Sequence, residues 1–186
     1  SDIHREKRAI KAPSFGYHLV VLTGATFGCW LLVASAAWLL DRFPTGSLVT
    51  SGTFLDARQP ETLDLCDRAS RAGASVELVV AGDRLILDPD VSIRVRHPAA
   101  SFRGPTDNSN SVVLEITYAG RRMLLTGDLE DEGQQQLLGS PTPALDVILA
   151  PHHGSPRANT REWASWSQPG WVIVSGGRDS TPVTLG

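Results

Sequence analysis

Three side chains in this chain have the types and settings to do chemistry together. Asp128 follows Gly127 at the end of the apolar run Met123-Leu124-Leu125-Thr126. His152 and His153 follow Pro151 at the end of a second run, Leu145-Asp146-Val147-Ile148-Leu149-Ala150, with Gly154 and Ser155 behind them. A carboxylate and an imidazole are both ligands for a divalent cation. Loops that leave the ends of strands are where rigid scaffolds present such groups. Bland roles compete with this one. Asp128 can cap a following helix or sit in a solvated turn, and taken alone the cap is favoured. Neighbours in an extended chain face opposite ways, so one histidine of the pair is expected as a ligand. The other would donate a hydrogen bond to a supporting group or to substrate. The sequence does not choose between them. Asp128 plus one histidine supplies two ligands, where zinc takes three or four from protein.

These groups must be held by strands and short helices. The pattern predicts strands at 48–50, 75–80, 84–87 and 91–95, the last alternating Val91, Ile93 and Val95 with polar residues. A helix is expected from Pro60 to about Ala72, stopped by Gly73. Residues 98–110 read as loop. Ser111–Tyr118 and Arg121–Thr126 read as a hairpin turned by Ala119-Gly120. A short helix should follow Asp128, from Glu130 to Leu138. Helix 161–167 and strand 171–175 close the chain. Hairpins first and alternating elements later make the class α+β.

With 186 residues and 41% hydrophobic content, the chain is sized for one domain and an appendage. A net charge of -3 gives no general attraction to nucleic acid, so polyanion binding would need a local patch or bound cations. Cys29 and Cys66 fit no metal-knuckle spacing and are expected as buried thiols. Arg103, Arg121 and Arg122 are expected on a solvated face rather than on phosphate. Trp163, Trp166 and Trp171 are expected as core anchors, and Ser155 as a turn residue rather than a nucleophile.

Residues 1–18 are basic, and Leu19 to Leu40 runs 22 residues without a charge. That length crosses a hydrocarbon core of roughly 30 Å as a helix. A transmembrane helix over 19–40 is the expectation. A signal peptide with Ala34-Ser35-Ala36 is the competing reading. The basic flank would stay cytoplasmic and residues 42–186 would lie outside.

Four segments carry a family resemblance. They are Asn108-Ser109-Asn110-Ser111-Val112-Val113-Leu114, Leu124 to Glu130, Asp146 to Ser155, and Val172 to Ser175. Together they resemble the metallo-β-lactamase-like domain of the ComEC family of competence proteins, over about residues 42–180. The resemblance implies an αββα sandwich with a metal site at its edge. It implies metal-assisted phosphodiester hydrolysis on a single strand of DNA during uptake, at the bacterial inner membrane on its extracytoplasmic side, with other DNA-uptake components as partners. Asp128 matches the family's TGD aspartate, and His152 or His153 matches the late histidine ligand. Zinc or manganese is the implied ion.

One departure matters. The family's early HxHxDH or HxDxDH motif is absent, and His4 and His18 cannot replace it. The resemblance therefore implies a partial sandwich, missing roughly its first half, and impaired hydrolysis. Two further readings follow: a membrane-tethered module that guides DNA without catalysis, and a small-molecule ester or lactone hydrolase.

Overall fold

A computed structural model describes residues 9–11, 18–21, 30–56, 60–142 and 144–175. Parts of the expected basic flank and span (1–8, 12–17 and 22–29), and the tail 176–186, lie outside the described residues. In chain order the elements begin with strands β1 (Ala9–Lys11) and β2 (His18–Val21), helix α1 (Trp30–Arg42), strand β3 (Thr45–Thr50) and helices α2 (Gly52–Asp56) and α3 (Pro60–Arg71). Strands β4 (Ser75–Leu78), β5 (Arg84–Asp88), β6 (Val91–His97), β7 (Val113–Tyr118) and β8 (Arg121–Leu125) follow, then α4 (Glu132–Leu138), β9 (Val147–Leu149), α5 (Arg161–Ser167) and β10 (Trp171–Ile173).

The strands form two sheets. A seven-stranded sheet runs β1-β5-β6-β7-β8-β9-β10, and a three-stranded sheet runs β2-β3-β4. The small sheet is parallel throughout. In the large one, β5 to β8 are antiparallel neighbours, while β8, β9 and β10 are parallel. Ala119 and Gly120 both have positive φ, 47° and 76°. That two-residue turn matches the twist of the strands it joins, as the sequence predicts for β7 and β8.

Side-chain alternation shows how the layers stack, because successive residues of a strand face opposite ways. Leu48 of β3 joins an outer cluster with Ala36, Leu40, Phe54, Leu65 and Ala69. Its neighbour Val49 joins Val79, Leu85, Ile93, Val95 and Leu114 in a second cluster, between the two sheets. On β7, Leu114 belongs to that middle cluster, while Val113 packs with Leu124, Leu129, Leu137, Ile148 and Trp163 below. The order is therefore helices, small sheet, large sheet, helices: an αββα sandwich. Both sheets and both helical layers are represented among the described residues. Short strands β1 and β2, unforeseen in the sequence, complete an edge of each sheet.

The described parts of the expected 19–40 helix are a strand and a shorter helix. His18–Val21 is a strand paired in parallel with β3. The helix that follows starts at Trp30 and has 13 residues. Its apolar character has a packing reason: Ala36 and Leu40, one turn apart, are buried over α3 and β3. Trp38 is half exposed and carries Arg42 over its ring at 4.7 Å. Among the described residues no helix is long and apolar enough to cross a membrane.

The three tryptophans divide. Trp163 is buried and stacks on Trp166 with centroids 4.9 Å apart. Trp171, on the last strand of the sheet, is 75% exposed, so it is no core anchor. Cys66 is a half-buried free thiol.

Candidate metal corner and its supports

The site lies where parallel strands β8 and β9 end, the position from which α/β sheets present ligand-binding loops. Two bonds lock those ends together. The Thr126 hydroxyl donates to the Leu149 carbonyl at 2.7 Å, and the His152 amide donates to the Gly127 carbonyl at 3.1 Å. Gly127 turns with a φ of 56°, a conformation that suits a residue without Cβ.

The histidine loop is a tight turn. His152 (φ 47°, ψ 56°) and His153 (φ 54°, ψ 25°) are both left-handed, and Gly154 follows at φ 81°. Such geometry costs a non-glycine residue about 1 kcal/mol or more, so the surroundings must impose it. Asn159 does so in part: its amide donates to the carbonyls of Pro151 (3.0 Å) and Ser155 (2.8 Å). Ser155 serves the turn, its amide donating to the His152 carbonyl at 2.8 Å. The pair is not extended, so the alternation expected of it does not apply. The two rings nevertheless have different partners, with centroids 6.1 Å apart.

His153 faces Asp128, with Nε2 3.5 Å from Oδ1. Its Nδ1 lies 2.9 Å from the Ser175 carbonyl, which only accepts, so Nδ1 carries the proton. In the neutral ring, Nε2 then turns a lone pair toward the carboxylate. His152 faces the other way. Its Nδ1 is 2.8 Å from Glu130 Oε2. Asn108 Nδ2 donates to Glu130 Oε1 at 3.0 Å. Burial pushes the Glu130 carboxyl up, but the hydrogen bonds from Asn108 and His152 and the charges of His152 and Arg157 outweigh it. The group ends below its ordinary value. An ionised Glu130 is an acceptor only, so His152 Nδ1 donates.

Asp128 does not cap a helix. Helix α4 starts at Glu132, with Asp131 in the cap position. Asp131 instead holds Arg157 by two hydrogen bonds, 3.2 and 2.8 Å long. Gln134 of α4 donates to the carbonyls of Leu129 (3.1 Å) and Ala158 (2.7 Å), fixing the loops on either side of the site. Asn110 closes the 98–110 loop through Gly104 and Thr106. The expected arginines are engaged elsewhere: Arg121 pairs with Asp146 at 2.7 Å and Arg103 bonds local carbonyls. Glu130 and Asn108 were within reach of sequence reasoning, since both lie in the motifs quoted above, but no spacing rule connects them to His152.

The donor chemistry fits one corner of a metal site and not a whole one. Asp128 Oδ1 and His153 Nε2 converge as a carboxylate and an imidazole would on a cation. Among the described residues, however, no group of three or more His, Cys, Asp or Glu side chains is placed to hold an ion.

No family model matches the chain. It is 31% identical over 149 residues to ComE operon protein 3 of Bacillus subtilis, covering 80% of this chain and 19% of that protein. It is 32% identical over 73 residues to competence protein ComA of Neisseria gonorrhoeae, 38% of this chain and 11% of the relative. Recombination protein 2 of Haemophilus influenzae matches at 33% over 72 residues, 39% of this chain and 9% of that protein. Among solved structures, zinc-bound PqqB from Methylobacterium extorquens superposes with a TM-score of 0.49 and 15% identity, over 71% of this chain and 44% of that one.

Proposed function

The chain belongs to the ComEC family of competence proteins, and from that premise we propose that it is the metallo-β-lactamase-like domain of a DNA-uptake protein, with a hydrolytic site impaired in this sequence. In this reading the domain works at the bacterial cell membrane, on the extracytoplasmic side, and its substrate is single-stranded DNA. The observation that carries it is the convergence of Asp128 Oδ1 and His153 Nε2 at 3.5 Å, at the mouth of the αββα sandwich. Zinc or manganese would sit against that pair and supply a polarised water for attack on a phosphodiester. The protein's own part is to hold Asp128 through the Gly127 turn, and His153 through the Ser175 carbonyl.

A second reading has its own support. Two convergent ligands are fewer than a catalytic zinc takes from its protein, so a module that guides DNA without cleaving it fits the described residues as well. A single experiment separates them. The 186-residue chain is incubated with a labelled single strand and added zinc or manganese, beside Asp128→Ala. Metal-dependent cleavage lost in the variant supports the hydrolytic reading. Cleavage equal in both overturns the site. DNA binding with neither cleavage nor bound metal selects the guiding module.

A further inference from the structure

We propose that Glu130 is a positioning residue for His152, fixing the tautomer in which the ring proton faces Glu130 and Nε2 keeps a free lone pair. The proposal rests on the geometry of the Asn108–Glu130–His152 chain. Glu130 is 8% exposed, and both of its oxygens have a hydrogen-bond partner. Oε1 accepts from Asn108 Nδ2 at 3.0 Å, and Oε2 accepts from His152 Nδ1 at 2.8 Å. The chain Asn108–Glu130–His152 joins three segments far apart in sequence: the turn before β7, the loop after β8 and the loop after β9.

Its chemical consequence is a choice of tautomer. A carboxylate cannot donate, so the ring proton sits on Nδ1 and Nε2 keeps its lone pair. Among the described residues nothing hydrogen-bonds that Nε2, and the side chain is 36% exposed. A carboxylate that fixes the far nitrogen of an imidazole is the usual device for holding its near nitrogen as a ligand or proton acceptor. The left-handed backbone of His152 adds weight: a strained turn that merely connected β9 to α5 would gain nothing from a buried carboxylate aimed at its ring.

The test reads the tautomer directly, by nitrogen NMR of the full chain with labelled histidine at mildly alkaline pH, His152 being assigned with a His152→Asn variant. The wild type should show Nδ1 protonated. In Glu130→Gln, Asn108 continues to hold Oε1, so the new amide NH2 faces Nδ1 and the proton should move to Nε2. Glu130→Asp should restore the wild-type form. An unchanged tautomer in folded Glu130→Gln overturns the assignment. If that variant does not fold, Glu130→Ala decides. Loss of the carboxylate should give a mixture of tautomers, and a pure Nδ1–H form overturns the proposal.

Discussion

Asp128 Oδ1 and His153 Nε2 stand 3.5 Å apart with the ring proton on the far side, held by the Ser175 carbonyl. Two acceptors in that position repel unless a cation or a shared proton lies between them. The pair should therefore respond to zinc or manganese. At tenfold excess over Kd, an ion that binds only the folded chain adds about 1.4 kcal/mol, or about 3 to 6 °C in Tm for a domain of this size. Asp128→Ala and His153→Ala should abolish the shift, and His152→Ala should keep most of it. A thermal scan checks this, and the opposite ranking of the two histidines would refute the assignment.

Gly133 couples the helix layer to the site. A Cβ there would land on the Ser109 carbonyl oxygen and lie 2.7 Å from Leu129 Cδ1. Ser109 follows Asn108, the anchor of Glu130. Gly133→Ala should cost about 1–3 kcal/mol by overpacking, read from the urea midpoint. It should also disturb the His152 resonance, although residue 133 is far from that ring in sequence. A variant as stable as wild type would show that the turn at 108–110 yields easily.

Local patterns made most of this fold legible. The Val91–Val95 alternation, the Ala119-Gly120 turn and the Pro60 start of α3 each depend on neighbours in sequence. What stayed hidden was long-range. The 22-residue apolar run satisfies a membrane length rule, and only pairing partners reveal that its start is a strand and its end a helix packed on β3. Likewise Asp128, His152 and His153 could be named from strand-end position. Which histidine meets Asp128 depends on left-handed backbone at both residues, which no propensity foretells.

The packing of α1 gives its own test. Leu40 is 4% exposed, in a cluster with Leu48, Phe54 and Leu65. Leu40→Ala should cost about 2–5 kcal/mol, measured by urea denaturation of the full chain. Trp38→Ala, at a half-exposed position, should cost far less. Equal small effects would mean that this helix does not pack on β3 and α3.

His97 carries the pH dependence. It ends β6 fully buried, with Nδ1 2.9 Å from the Ser111 carbonyl and its ring edge-on to Phe102. Nε2 is buried without a partner among the described residues. Burial lowers the imidazole below its ordinary 6.5, opposed in part by the bond to Ser111. The sign follows. Above 6.5 the ring is neutral in both folded and unfolded chains and has no effect. As pH falls through 6.5, the unfolded chain takes up a proton that the folded chain refuses. Stability then drops by up to about 1.4 kcal/mol per pH unit, until the folded pKa is reached. His97→Gln should remove this loss, so wild type and variant should converge in relative stability on acidification. Glu130 also has a depressed folded value, but its contribution is lost lower, in the carboxylate range, and it is common to both proteins. Urea midpoints across the mildly acidic range check the difference. Parallel curves for the two proteins would mean that His97 reaches solvent and is not held neutral by the fold.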